Sequence, residues 1–105
     1  MWHEDYSVFV DDLLLPTARG LDYLVPGFLA ETGEVAGKIA KSVRDEWEPE
    51  KTKEEIEGEL GDVLFFLQAL CNHYNISLAH IAQVNMLKLA SRRERGKLQG
   101  SGDNR

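Results

Sequence analysis

Glu55-Ile56-Glu57-Gly58-Glu59-Leu60-Gly61-Asp62-Val63-Leu64-Phe65-Phe66-Leu67-Gln68-Ala69-Leu70 is the run on which the fold turns. Its apolar residues do not alternate as those of a half-buried strand would. Ile56, Val63, Leu67 and Leu70 recur at three- and four-residue spacing, the period of a helix. At about 100° per residue these four side chains fall within one sector roughly 60° wide, and Glu55 and Asp62 lie just across Glu59 from it. The run therefore reads as one amphipathic helix whose acids border its buried stripe.

Working outward, Thr52-Lys53-Glu54-Glu55 has the form of a capping box, which predicts a third helix from Thr52 to about Tyr74. Asn75 is expected to end it in the left-handed conformation. Ser77 then caps a fourth helix that lasts to about Arg93, ahead of Gly96. Upstream, Phe28, Val35, Ile39 and Val43 keep one apolar stripe, so a second helix is expected from Pro26 to about Arg44, with residues 45–51 as a connector. A first helix is expected from about Tyr6 to Leu15, stopped by Pro16. No Asn-Gly or Asp-Gly hairpin turn occurs, and the expected fold is all-α, a compact four-helix bundle.

The chain has 105 residues, 43% hydrophobic and 29% charged, which is room for a single domain over residues 1–105. A domain of this size buries about 65% of the surface its unfolded chain exposes, so oligomerisation is expected to complete the bundle. No stretch approaches the ~18 apolar residues of a membrane span, and the first residues lack the basic and apolar regions of a signal peptide, so a cytoplasmic protein without a membrane partner is expected. The one cysteine, Cys71, sits in an apolar run and is expected to be a small core thiol.

The net charge of −6 argues against a nucleic-acid partner, but it is unevenly spread. Residues 1–91 hold 7 basic and 16 acidic side chains, whereas the glycine-containing tail, residues 92–105, holds 5 basic and 2 acidic ones. An acidic body with a basic tail suits a protein that holds cations in one place and phosphates in another.

The acids have a pattern of their own. Glu31 and Glu34 on the second helix, and Glu59 and Asp62 on the third, are each spaced i, i+3, about 60° apart, close enough for both members to reach one ion. If the two apolar stripes face each other, four carboxylates meet at the rim of one helix–helix interface. Two like charges about 4 Å apart repel by roughly 4 kcal/mol at an effective dielectric near 20, so the set calls for protons or bound cations. Hard oxygen donors select Mg²⁺ or Mn²⁺. A di-iron bundle needs Glu-x-x-His, and neither His73 nor His80 has an acid three residues before it. Gly33, Gly37, Gly58 and Gly61 lie within the same helices, where each costs about 1 kcal/mol relative to Ala, and close helix approach is the expected compensation.

In the fourth helix Leu78, Ile81 and Leu89 define a stripe with Asn85 in its middle and Lys88 and Arg92 beside it. Polar groups on an apolar face suit a ligand cavity, with Asn85 bonding a sugar or base and Lys88 and Arg92 meeting phosphate oxygens. The tail's glycines would permit a loop that closes over a polyphosphate.

With Ala30-Glu31-Thr32-Gly33-Glu34, Glu59-Leu60-Gly61-Asp62 and Asn85-x-x-Lys88-Leu89-x-x-Arg92, the chain resembles the MazG-like all-α nucleoside triphosphate pyrophosphohydrolases from about Tyr6 to its tail. The resemblance implies metal ligands at Glu31, Glu34, Glu59 and Asp62, and nucleotide contacts at Asn85, Lys88 and Arg92. It also implies a homodimer or homotetramer and Mg²⁺-dependent hydrolysis of a nucleoside triphosphate between its α and β phosphates, to the monophosphate and pyrophosphate. The family's E-E-x-x-E departs at its first position, which is Ala30 here. Glu31 and Glu34 are then the candidate catalytic bases, with Glu55 as an outside candidate. Two other readings stand beside this one: a helical module that binds nucleotides without hydrolysing them, and a regulatory helical dimer whose acids are surface charge.

Overall fold

The computed structural model describes residues 1–96, and those residues form four α-helices and no strand. They are α1 (Trp2–Leu13), α2 (Leu21–Arg44), α3 (Pro49–His73) and α4 (Leu78–Glu94), with one 3₁₀ turn at Pro16–Ala18. The all-α expectation holds. Two compact units divide the chain, residues 1–75 with α1 to α3 and residues 76–105 with α4. Among the described residues no helix is long and apolar enough to cross a membrane.

Four of the expected boundaries move. α1 begins at Trp2, where Glu4 and Asp5 place negative charge in the first turn. It stops at Leu13 because Leu15, held extended by Pro16 at φ −66°, ψ 155°, cannot continue a helix. Arg19 closes that end, donating to the Asp11 carboxylate at 2.7 Å and to the Asp11 and Leu14 carbonyls at 2.7 and 3.0 Å. α2 opens at Leu21 behind Gly20, not at Pro26, which instead sits inside the helix. The capping box at Thr52 does not form. α3 starts three residues earlier, because Pro49 takes the first helical position, where its missing N–H costs nothing and its fixed φ suits the turn. Thr52 is then one turn inside, its N–H and hydroxyl both directed at the Glu48 carbonyl at 3.1 and 3.4 Å.

The turn between α2 and α3 needs only Asp45 to Glu48. Glu46 adopts φ 51°, and the N–H groups of Glu46 and Trp47 return to the carbonyls of Val43 and Ser42, as in a Schellman ending. Asn75 ends α3 in the left-handed region at φ 54°, its N–H returning to the Asn72 carbonyl at 3.1 Å, and Ser77 caps α4 by accepting from the His80 N–H at 3.3 Å, both as expected.

The core of the first unit is Val10 from α1, Leu24 from α2, and Phe66 and Ala69 from α3, with Tyr6, Leu14, Phe28, Phe65 and Leu70 packed around them. Fully burying a side chain such as Leu24 is worth roughly 1.5–3 kcal/mol. Cys71 is buried beside this core, and burial pushes its thiol pKa up, as befits an inert core thiol. A polar lock joins α1 to α3. Ser7 donates to the Asn72 side-chain oxygen at 2.7 Å, Asn72 returns a bond to the Ser7 carbonyl at 3.0 Å, and the buried Gln68 donates to the same Asn72 oxygen at 2.9 Å.

The four glycines expected at a close approach do not make one. A Cβ on Gly33, Gly37, Gly58 or Gly61 would meet nothing within 4 Å. The close approach is at Gly27, where a Cβ would overlap the ring of Phe66.

Candidate functional site

Two contacts fix how α2 and α3 run past each other. Gly27 lies against Phe66, and Lys38, eleven residues further along α2, bonds Glu55, eleven residues back along α3. The helices are therefore antiparallel and in step. One turn back from Lys38 brings α2 to Glu34, and one turn on from Glu55 brings α3 to Glu59. A further three residues in each direction bring Glu31 level with Asp62. The i, i+3 spacing repeated on both helices thus becomes two facing ranks of acids.

Glu31, Glu59 and Asp62 offer one carboxylate oxygen each, all within 4.8 Å of one another. Glu31 and Glu59 are half-buried and Asp62 is exposed. Burial, and then the charges of Asp62, Glu59 and Glu34, raise the Glu31 carboxyl pKa above its ordinary value. That is the signature of a group that would gain from a proton or a cation. Glu34 contributes to this field but is exposed and stands outside the set of three. Tyr6, missed in the sequence, adds a half-buried phenol whose pKa is raised by burial and by Asp62.

Glu55 goes the other way. Lys38 Nζ donates to its Oε2 at 2.7 Å and holds its carboxyl below the ordinary value, so Glu55 is a poor proton acceptor. The sequence reading did not single out Lys38, although its position one turn after Glu34 was visible. The three acids can hold a divalent cation, and the donor set, all carboxylate oxygen, suits a hard ion. Octahedral ligands at 2.0–2.1 Å from one ion lie about 2.9 Å apart when adjacent and about 4.2 Å apart when opposite, so side-chain rotation must draw the three oxygens, now within 4.8 Å, closer together around a shared ion.

In the second unit, Lys88 is half-buried and Arg92 is buried, while Asn85 and Leu89 are exposed. On α4 the residues that are not exposed are Leu78, Ile81, Lys88, Ala90 and Arg92. Asn85, Met86, Leu89, Ala90 and Arg93 line a shallow surface groove. The glycines of the tail beyond Gly96 lie outside the described residues. Of the aromatics that could stack on a base, Phe66 is core and Tyr23 packs on it with ring centroids 5.9 Å apart. Trp47 lines an open apolar groove of about 670 Å³ with Pro49, Ile56 and Leu60, and Lys51 Nζ lies 4.5 Å from its ring centroid.

Fold and site together define an all-α protein with a carboxylate cluster between two antiparallel helices. The model of the MazG nucleotide pyrophosphohydrolase domain matches residues 19–96, which include all four acids together with Asn85, Lys88 and Arg92, and the chain belongs to this family. The Gene 37 protein of Mycobacterium phage L5 is similar, 40% identical over 89 residues that cover 83% of this chain and 78% of the phage protein. No solved structure matches.

Proposed function

We propose that this protein hydrolyses nucleoside triphosphates, ribo- or deoxyribo-, between the α and β phosphates, using Mg²⁺ or Mn²⁺ held by Glu31, Glu59 and Asp62 with Glu34 alongside. The observation that carries the reading is the convergence of three carboxylates within 4.8 Å in a chain of this family. When bound, the cation supplies positive charge that offsets the triphosphate oxygens and polarises the attacking water. Water adds across the anhydride: one P–O bond forms, the bridging P–O bond breaks, pyrophosphate departs, and the water's proton passes to a carboxylate. Glu31, half-buried in the cluster, is the first candidate acceptor among the acids. Glu34 is the second candidate, and Glu55, kept ionised by Lys38, is set aside. Lys88 and Arg92 are cations of the kind that bind phosphate, and Asn85 can hydrogen-bond a sugar or base.

We place the protein in the cytoplasm as a nucleotide-pool enzyme, working as a homodimer or homotetramer. Support for assembly comes from large apolar side chains left outside the core, including Trp2 (65% exposed), Leu29 (63%) and Val43 (75%). Ala30, where the family has its first Glu, favours a second reading, nucleotide binding without turnover. Pyrophosphate release with Mg²⁺ across the common nucleotides separates the two. Tight binding of a nucleotide with no release of pyrophosphate from any of them would decide for the second.

A further inference from the structure

Five carboxylates line the facing edges of α2 and α3, and one cation of the protein's own is set among them. Lys38 Nζ lies 2.7 Å from Glu55 Oε2 and 3.9 Å from Glu59 Oε1. Its side chain is 22% exposed and that of Glu59 is 17% exposed, so this contact is largely sheltered from solvent. The cluster of Glu31, Glu59 and Asp62 lies at the other end of the ranks, and Glu59 belongs to both ends.

Phosphoryl-transfer sites with two ions hold them about 3.5–4 Å apart, commonly with a carboxylate shared between them. Glu59, which faces both the cluster and Lys38, is the acid such a pair would share, and a second ion would sit on its Glu55 side, in the field of Glu34. That position is where the ammonium of Lys38 sits. A second dication there would lose Glu55, which is committed to Lys38, and would face a unit positive charge at close range. Its repulsion would be twice that between two unit charges at the same distance.

We propose that Lys38 is a positioning residue that stands in for a second metal ion, so that the site at Glu31, Glu59 and Asp62 takes one divalent cation per chain. This rests on the reading of those three acids as the metal centre. Lys38 neutralises the Glu55 end of the ranks, holds Glu59 from one side, and leaves the uncompensated end to a single ion.

The test counts Mn²⁺ on the full chain by isothermal titration calorimetry and reads ion pairing by electron paramagnetic resonance, with circular dichroism melts to establish folding. The parent protein and Lys38→Arg should each bind one Mn²⁺ with the hyperfine pattern of an isolated ion. Lys38→Met, or Lys38→Gln if the methionine variant does not fold, should bind two, with the broadened spectrum of coupled ions. Two ions on the parent protein, or one on the folded neutral variant, would overturn the role of Lys38 and leave the metal centre standing. No Mn²⁺ on the parent protein would overturn both.

Discussion

Asp62→Asn removes one charge from the cluster while keeping the side chain's size, and its effect on stability has an unusual sign. Asp62 offers an oxygen within 4.8 Å of an oxygen from Glu31 and another from Glu59. Two unit charges at that distance repel by about 3.5 kcal/mol at an effective dielectric of 20 and by about 0.9 kcal/mol in bulk water. Because Asp62 is exposed, screening keeps each pair toward the lower figure, and relieving both pairs should stabilise the metal-free protein by roughly 1–3 kcal/mol. For a helical unit of this size that is a Tm increase of roughly 5–15 °C in EDTA. Magnesium should then act on the parent alone. An ion at a hundred times its Kd adds about 2.7 kcal/mol to the native state that binds it, so Mg²⁺ raises the parent's Tm and barely moves that of the variant, whose turnover is also lost. Thermal melts of both proteins with EDTA and with Mg²⁺ read all of this. A variant that melts at or below the parent in EDTA, and shows the same Mg²⁺ increment, would refute the cluster as a site of charge repulsion relieved by a cation.

A pH series in EDTA isolates Glu31. Its folded-state pKa is raised above 4.5, so the folded protein holds this proton more tightly than the unfolded chain and loses stability as pH rises from 4.5 toward the raised value. The stability gap between Glu31→Gln and the parent should therefore widen across that window and then level off; a gap that stays constant with pH contradicts the assignment. Gly27→Ala should destabilise by about 1–3 kcal/mol through overlap with Phe66, and Phe66→Leu in the same chain should recover part of the loss in urea unfolding. Lys88→Ala should raise KM or lower kcat by roughly tenfold to a hundredfold with little change in Tm, the effect of losing one charge-assisted phosphate contact of ~1.5–3 kcal/mol. Lys41→Ala serves as the control, and equal behaviour of the two variants in the pyrophosphate assay would remove the role of Lys88.

What could be read from the sequence follows the range of the forces involved. Helical periodicity and the left-handed Asn75 and Ser77 caps are local, and these came through. Of the i, i+3 acid pairs the structure brings Glu31, Glu59 and Asp62 together and leaves Glu34 outside the set, because spacing along one helix is legible without its partner and convergence between helices is not. Thr52 misled because Thr-x-x-Glu is a cap signal only where no stronger start precedes it, and Pro49 is such a start. With α3 begun at Pro49, Glu55 faces Lys38 on the neighbouring helix and is no longer available to cap its own. The glycines misled for the complementary reason. Gly33, Gly37, Gly58 and Gly61 look like a packing stripe, yet the residue that meets a neighbour is Gly27, and only the pairing of α2 with α3 reveals it. Glu46 at φ 51° carried no signal, since a charged residue in a left-handed turn is set by the Schellman bonds around it.

Register is the quantity that joins this fold to its chemistry. Each acid pair is spaced correctly on its own helix whatever the partner does, but a shared ion requires that the two pairs arrive at the same level. The turn of residues 45–48 sets that level, and it is short because the Glu46 turn and Pro49 end one helix and begin the next with little chain between them. Gly27 against Phe66 and Lys38 against Glu55 hold the register at points eleven residues apart, on either side of the acids. Between two such anchors the acids are brought together against their own repulsion. The anchoring contacts supply apolar contact at one end and an ion pair at the other, so the cluster can persist without its cation and remain ready to take one. A lysine at the anchored end then has two functions that cannot be separated by geometry alone, holding the helices in step and restricting how much positive charge the acids can accept from solution. Counting ions on charge-preserving and charge-removing variants of Lys38 reads the second function and their melts read the first, because arginine can keep both the ion pair and the restriction and a neutral side chain can keep neither.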